Sequence, residues 1–117
     1  MINCIFCKIV KKELPSTVFY EDDDILAFQC KPPIAPVHVL LIPKKHIESI
    51  NDIVEEDANL MGKMILIAKN IAKDLGISEE GYKLLFRVGK NGGQEVLHIH
   101  LHLIGGAALY EEIRPIE

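Results

Sequence analysis

The sequence carries no excess of basic charge: 13 Lys and Arg stand against 17 Asp and Glu, a formal net charge of −4. A chain without a basic footprint is not built to track a polyanion, which excludes polymeric nucleic acid as the expected partner. A small anionic ligand received by local amides and imidazoles is not excluded. No apolar run approaches the ~20 residues of a membrane-spanning helix, and Met1-Ile2-Asn3-Cys4 lacks the basic stretch that begins a secretion signal, so no membrane partner is expected. Cysteine is scarce. Cys4, Cys7 and Cys30 make an odd set that fits a reducing cytoplasm better than a disulfide framework. No repeat, linker or low-complexity stretch divides the chain, so residues 1–117 are expected to form one domain.

Hydrophobic residues make up 49% of the chain against 26% charged. A domain of this size hides roughly two thirds of its unfolded surface, so a core is feasible, and the surplus of apolar side chains points to an oligomer. A short helix is predicted over Asn3–Val10, with Asn3 as its cap. Strands are predicted at Thr17–Tyr20 and Ile25–Phe28 around the acidic turn Glu21-Asp22-Asp23-Asp24, then at His38–Ile42, ended by Pro43. Leu60, Met61, Met64, Ile65, Ile67, Ala68, Ile71, Ala72 and Leu75 recur at helical spacing before Gly76, and that stripe reads as core. Two further strands are expected over Tyr82–Val88 and Glu95–Ile104, separated by Gly89-Lys90-Asn91-Gly92-Gly93. The order gives an α+β fold, an antiparallel sheet with one main helix on a face.

Chemistry concentrates in His98-Ile99-His100-Leu101-His102. In a strand the period of two puts the three imidazoles on one face and Ile99, Leu101 and Leu103 on the other. Exposed histidines by chance, a zinc site, and an imidazole nucleophile acting on phosphorus are all compatible with that row. Gly92-Gly93-Gln94 directly precedes it. Asn91-Gly92 alone is a hairpin signal, but bare consecutive amides feeding a row of imidazoles also make an anion-binding nest, which favours phosphate chemistry.

Gly92-Gly93-Gln94-Glu95-Val96-Leu97-His98-Ile99-His100-Leu101-His102-Leu103-Ile104-Gly105-Gly106 resembles the signature of the histidine-triad (HIT) superfamily, and more narrowly its histidine-triad nucleotide-binding (Hint) branch. Cys4-Ile5-Phe6-Cys7-Lys8-Ile9, Tyr20-Glu21-Asp22-Asp23, Leu26-Ala27-Phe28 and Ala35–His46 extend the likeness nearly end to end. The resemblance implies a five-stranded antiparallel sheet with one long helix and a short N-terminal helix, pairing into a homodimer, and a purine nucleotide as ligand. It implies His100 as the nucleophile that forms a nucleotidyl-histidine intermediate, and His98 orienting it by ring or backbone carbonyl. It implies His102 at the phosphate and His38 completing the network, with no cofactor for catalysis. Gly93, Gln94 and Glu95 would hold phosphate oxygens, and Ile5, Phe6, Ile9, Phe19, Phe28 and Leu40 would line the base pocket. The activity implied is hydrolysis of nucleoside 5′-phosphoramidates. The alternatives are a dinucleoside polyphosphate hydrolase or a binding module with little turnover.

Two positions depart from the pattern in ways that bear on the ligand. Cys30 replaces an aspartate that accepts ribose hydroxyls, and a neutral thiol in that place weakens ribose recognition by about 1–3 kcal/mol. Arg87 replaces an asparagine near the phosphate, where it either grips the phosphate or swings to solvent. Glu95 stands where serine or threonine is common. The pair Cys4 and Cys7 by itself reads as two packed thiols. By resemblance it joins His46 and His98 as a Cys₂His₂ structural zinc site.

Overall fold

In the computed structural model, which describes residues 3–116, the chain begins with α1 (Ile5–Val10). Its N-cap is Cys4, one residue later than the sequence suggests: the Sγ accepts the N–H of Cys7 at 3.4 Å, so Asn3 is not needed as the cap. Then come β1 (Val18–Glu21), β2 (Ile25–Gln29), β3 (Val37–Pro43), α2 (Ala58–Asp74), β4 (Tyr82–Leu85) and β5 (Leu101–Gly105). The strands form one sheet in the order β1-β2-β3-β5-β4, every neighbouring pair antiparallel. The predicted α+β architecture of five strands and one long helix is the one observed.

Both faces of the sheet are covered, which is why β2 and β3 are apolar at successive positions and not at alternate ones. On one face Ala27, Val39, Leu41, Leu101 and Leu103 pack against Met64, Ile67, Ala68, Ile71 and Ala72 of α2. On the other, Leu26, Phe28, Leu40 and Ile42 meet Cys4, Phe6 and Ile9 from the α1 segment. The helical stripe is therefore core, except that Ile65 and Leu75 face outward. Gly76 stops the helix as expected, with a φ of +76° that other residues rarely adopt. The acidic turn is tied down: Asp22 accepts the N–H groups of Asp24 and Ile25, and Lys63 of α2 pairs with Asp22 and Asp24. Among the described residues no helix is long and apolar enough to cross a membrane.

Both C-terminal strands are shorter than predicted. Pairing of β4 with β5 runs from Tyr82↔Gly105 to Leu85↔His102 and stops. Upstream of Leu101 the backbone bonds elsewhere, with Ile99 N–H donating to Ile47 O at 2.6 Å. Of the three histidines of the row, only His102 therefore lies within a strand, and His98 and His100 occupy the segment leading into it. Their alternation persists even so, because Leu101 and Leu103 are locked against α2.

Candidate functional site

The face of the sheet that carries α1 also carries the imidazoles. Leu40 of β3 pairs with His102 of β5, and His38 lies two residues from Leu40 on the same side. His38 is 3%, His100 8% and His102 8% exposed. Phe6 meets both His98 and His100 edge to face, at centroid distances of 5.9 and 5.1 Å. The helix that closes the apolar core thus also packs the reactive row.

Hydrogen bonds assign a proton to each ring. Nδ1 of His100 lies 2.8 Å from the carbonyl oxygen of His98, which can only accept, so Nδ1 carries the proton and Nε2 keeps its lone pair. The backbone N–H of Ile34 donates to His38 Nδ1 at 3.2 Å. His38 Nε2 therefore holds the proton and donates it to His102 Nδ1 at 3.0 Å. Arg87 Nη1 lies 3.3 Å from His102 Nε2. All three rings are held neutral. Burial pushes His102 down to about 3, with His100, Arg87 and His38 adding to the shift. Burial, then Arg87, lowers His100 and His38 as well. A neutral imidazole with a free Nε2 in an apolar wall is a nucleophile at neutral pH.

Two clefts open onto this row. A cleft of about 430 Å³ is mainly apolar, formed by Ile5, Phe6, Ile9, Phe28, Leu40 and Val96. A second, of about 390 Å³, is more polar than the first and bounded by His38, Arg87, Gly93 and Ile34. Cys30, Lys31, Glu95, His100 and His102 border both. An apolar chamber joined to a more polar one, with His100 at the join, suits a ligand with a flat apolar end and an anionic end.

Most residues singled out for the nucleotide site meet here, but Phe19, the side chain of Gln94 and the ring of His98 do not. Phe19 is 38% exposed and lines neither cleft, because β1 breaks register between Val18 and Tyr20 and turns it outward. The side chain of Gln94 is consumed by the turn: Oε1 accepts from Gly89 N–H, and Nε2 donates to Glu48 and Val96 carbonyls. The ring of His98 does not touch His100; only its carbonyl does. Burial raises the Cys30 thiol, with Glu95 adding to the effect, so it stands at the join as a neutral group. Sequence reasoning missed the backbone of Ile34, which sets the proton order of His38, and Lys31 and Val96 in the walls. None of these carries a periodicity or motif that marks it.

Cys4, Cys7, His46 and His98 form a separate cluster behind the reactive row, their ligand atoms all within 4.8 Å of one another. Cys4 Sγ lies 3.4 Å and Cys7 Sγ 3.6 Å from His98 Nδ1, Cys7 Sγ lies 3.3 Å from His46 Nδ1, and the two Nδ1 atoms are 3.2 Å apart. A tetrahedral ion with bonds of about 2.0–2.3 Å needs edges of about 3.3–3.8 Å, close to these four separations, so the residues could hold one. The tautomer fits too. His98 Nε2 donates to Pro43 O at 2.8 Å, leaving Nδ1 as the lone-pair atom turned to the cysteines. Burial pushes His98 down to about 4, which keeps it in the form that ligates.

This fold and histidine row define a class, and comparison with known proteins places the chain in it. The HIT domain family model matches residues 11–109, and the chain belongs to that family. The chain is 46% identical over 105 residues to the purine nucleoside phosphoramidase of Escherichia coli K12, covering 90% of this chain and 88% of that protein. It is 48% identical to protein HitA of Neisseria gonorrhoeae over 90% of this chain and 97% of that one. Among solved structures, a HIT family hydrolase from Legionella pneumophila superposes with a TM-score of 0.90 at 52% identity, covering 92% and 96% of the two chains. A histidine triad protein from Clostridium difficile superposes at 0.92 with 40% identity, covering 97% and 98%.

Proposed function

We propose that this protein is a nucleotidyl hydrolase that cleaves purine nucleoside 5′-phosphoramidates through a nucleotidyl-His100 intermediate. The observation that carries the reading is the proton order of the row: the carbonyl of His98 takes the Nδ1 proton of His100 and leaves its Nε2 lone pair between the two clefts. The likeness to a purine nucleoside phosphoramidase at 46% identity supports the substrate class.

In this reading the base enters the apolar cleft between Phe6, Ile5, Ile9, Phe28 and Leu40, and the phosphorus sits by His100. The bond from His100 Nε2 to phosphorus forms as the bond from phosphorus to the leaving nitrogen breaks, and the departing amine takes up one proton. Water then attacks the phosphorus, the bond to His100 breaks, and the nucleoside monophosphate leaves with one proton returned to solvent. His102 donates its Nε2 proton to a phosphoryl oxygen, and His38 fixes that tautomer. Gly93 and Glu95 border the phosphate end, and Cys30 gives the ribose a neutral and therefore weak partner. Dividing one displacement into two is what an imidazole nucleophile contributes.

Cys4, Cys7, His46 and His98 hold a structural zinc ion in this reading, with no part in the bond-making. A homodimer is supported by β4, an open edge of the sheet, and by Ile65 and Leu66, which α2 turns outward. One domain over residues 1–117, working in a reducing cytoplasm, completes the proposal.

Incubation with adenosine 5′-phosphoramidate tests it. Wild type is expected to release AMP, and His100→Ala to lose at least about a thousandfold in rate. Equal rates from the two proteins would discard the histidine as nucleophile.

A further inference from the structure

One wall of the apolar cleft is α1. Ile5, Phe6 and Ile9 line that cleft, and none of the three borders the second one. At six residues the helix is too short to persist alone, since isolated helices below about 12–15 residues are marginal in water. Its backbone bonds do not reach the sheet. The amides of Lys8, Lys11, Lys12 and Glu13 donate to the carbonyls of Cys4, Cys7, Ile9 and Lys8 in turn. Among the described residues, every hydrogen bond between residues 3–11 and the rest of the chain is made by Cys4 or Cys7, to His46 or His98.

The other side of that joint belongs to the sheet. His98 is wholly buried, and its Nε2 is held by the carbonyl of Pro43, the last residue of β3. His46 lies just beyond the same strand. Contacts of 3.3–3.6 Å between thiols and imidazoles are weak bonds. One ion held by all four groups ties the helix to the strand far more firmly, because its binding energy stabilises whatever segments it joins. The sequence interleaves both duties in a single turn. Cys4 and Cys7 serve the ion-binding set, while Ile5 and Phe6 between them serve the cleft.

We propose that zinc at Cys4, Cys7, His46 and His98 sets the affinity of the apolar cleft for a nucleoside base, acting through α1, so that nucleotide binding follows the metal load. The inference rests on the structural-zinc and nucleotide readings above and adds a coupling between the two sites. The coupling is reciprocal: whatever factor the ion adds to base affinity, the base adds to the affinity for the ion. It acts on binding and leaves the bond-making groups as they are.

The test measures dissociation constants of AMP and adenosine by calorimetry, on zinc-loaded protein and on protein stripped with a chelator that is then dialysed away. Stripping is expected to weaken both ligands by the same factor, about ten- to a hundredfold, because both enter by the base. Saturating AMP is expected to raise zinc affinity by that factor, read by competition with a chromophoric chelator. The stripped protein is expected to keep the far-UV circular dichroism of α2, which packs on the opposite face of the sheet. AMP binding within about twofold with and without zinc would overturn the coupling and leave both underlying readings in place. Weakening of AMP with adenosine unchanged would put the link at the phosphate end and overturn the route through α1. Loss of the α2 signal would make the ion a support of the whole fold, which overturns that route as well. The underlying readings fail in other ways: protein that takes up no zinc discards the metal reading, zinc-loaded protein that binds no AMP discards the nucleotide reading, and the coupling falls with either.

Discussion

His102, 8% exposed, is neutral because burial disfavours a charge there, with His100, Arg87 and His38 adding to the effect. Its folded value lies well below the ordinary imidazole value near 6.5. The unfolded chain therefore binds protons that the folded chain refuses, and stability falls as pH drops from about 6.5 towards about 3. One such group gives a slope of up to about 1.4 kcal/mol per pH unit. Denaturant unfolding at pH 7.5 and pH 5 should show the loss in wild type and a shallower loss in His102→Gln. Identical slopes in the two proteins would mean that the ring is already charged in the fold. The same neutrality suits the chemistry, since a row of charged imidazoles would have no lone pair to offer.

At the scale of elements, the glycine turn between β4 and the triad shows how a local signal can be right for an incomplete reason. Asn91-Gly92 announces a turn, and a turn is there. What demands glycine at 92 is crowding within the turn that residue identity does not announce: a Cβ there would lie 2.3 Å from the Val88 carbonyl oxygen and 2.8 Å from its nitrogen, backbone atoms that cannot move aside. Gly92→Ala should cost about 1–3 kcal/mol through this overlap, read as a lower thermal midpoint. An unchanged midpoint would show that the turn relaxes freely. The same limit explains what else the sequence concealed. Alternation made the common face of His98, His100 and His102 legible, and the apolar runs of β2 and β3 announced burial. The late start of β5 was not legible, because it depends on Ile99 bonding to Ile47, fifty-two positions away. The outward turn of Phe19 depends on a bulge that no residue in β1 marks.

For the whole molecule, two clusters share one wall. Cys4 and Cys7 bracket Phe6, which packs on His100, so the cysteine–histidine cluster and the apolar cleft are built from the same short helix. Protein purified without chelator should carry close to one zinc per chain by elemental analysis, and stripping it should lower the thermal midpoint by several degrees. A zinc content near zero would leave the four side chains as a packed but metal-free cluster. The core on the other face of the sheet, between α2 and the alternate residues of β3 and β5, lies outside this coupling.

His98 joins the two clusters through different parts of one residue. Its ring faces the cysteines, while its carbonyl aims the ring of His100. A carbonyl is common to all twenty amino acids, so the orientation of the His100 ring asks only that a peptide unit be present at this point. The imidazole at 98 is answerable to the sulfur side alone. Variation at that position should thus follow the fate of Cys4, Cys7 and His46 across related chains and not the fate of His100, which makes the first histidine of the row separable by descent from the two that follow it.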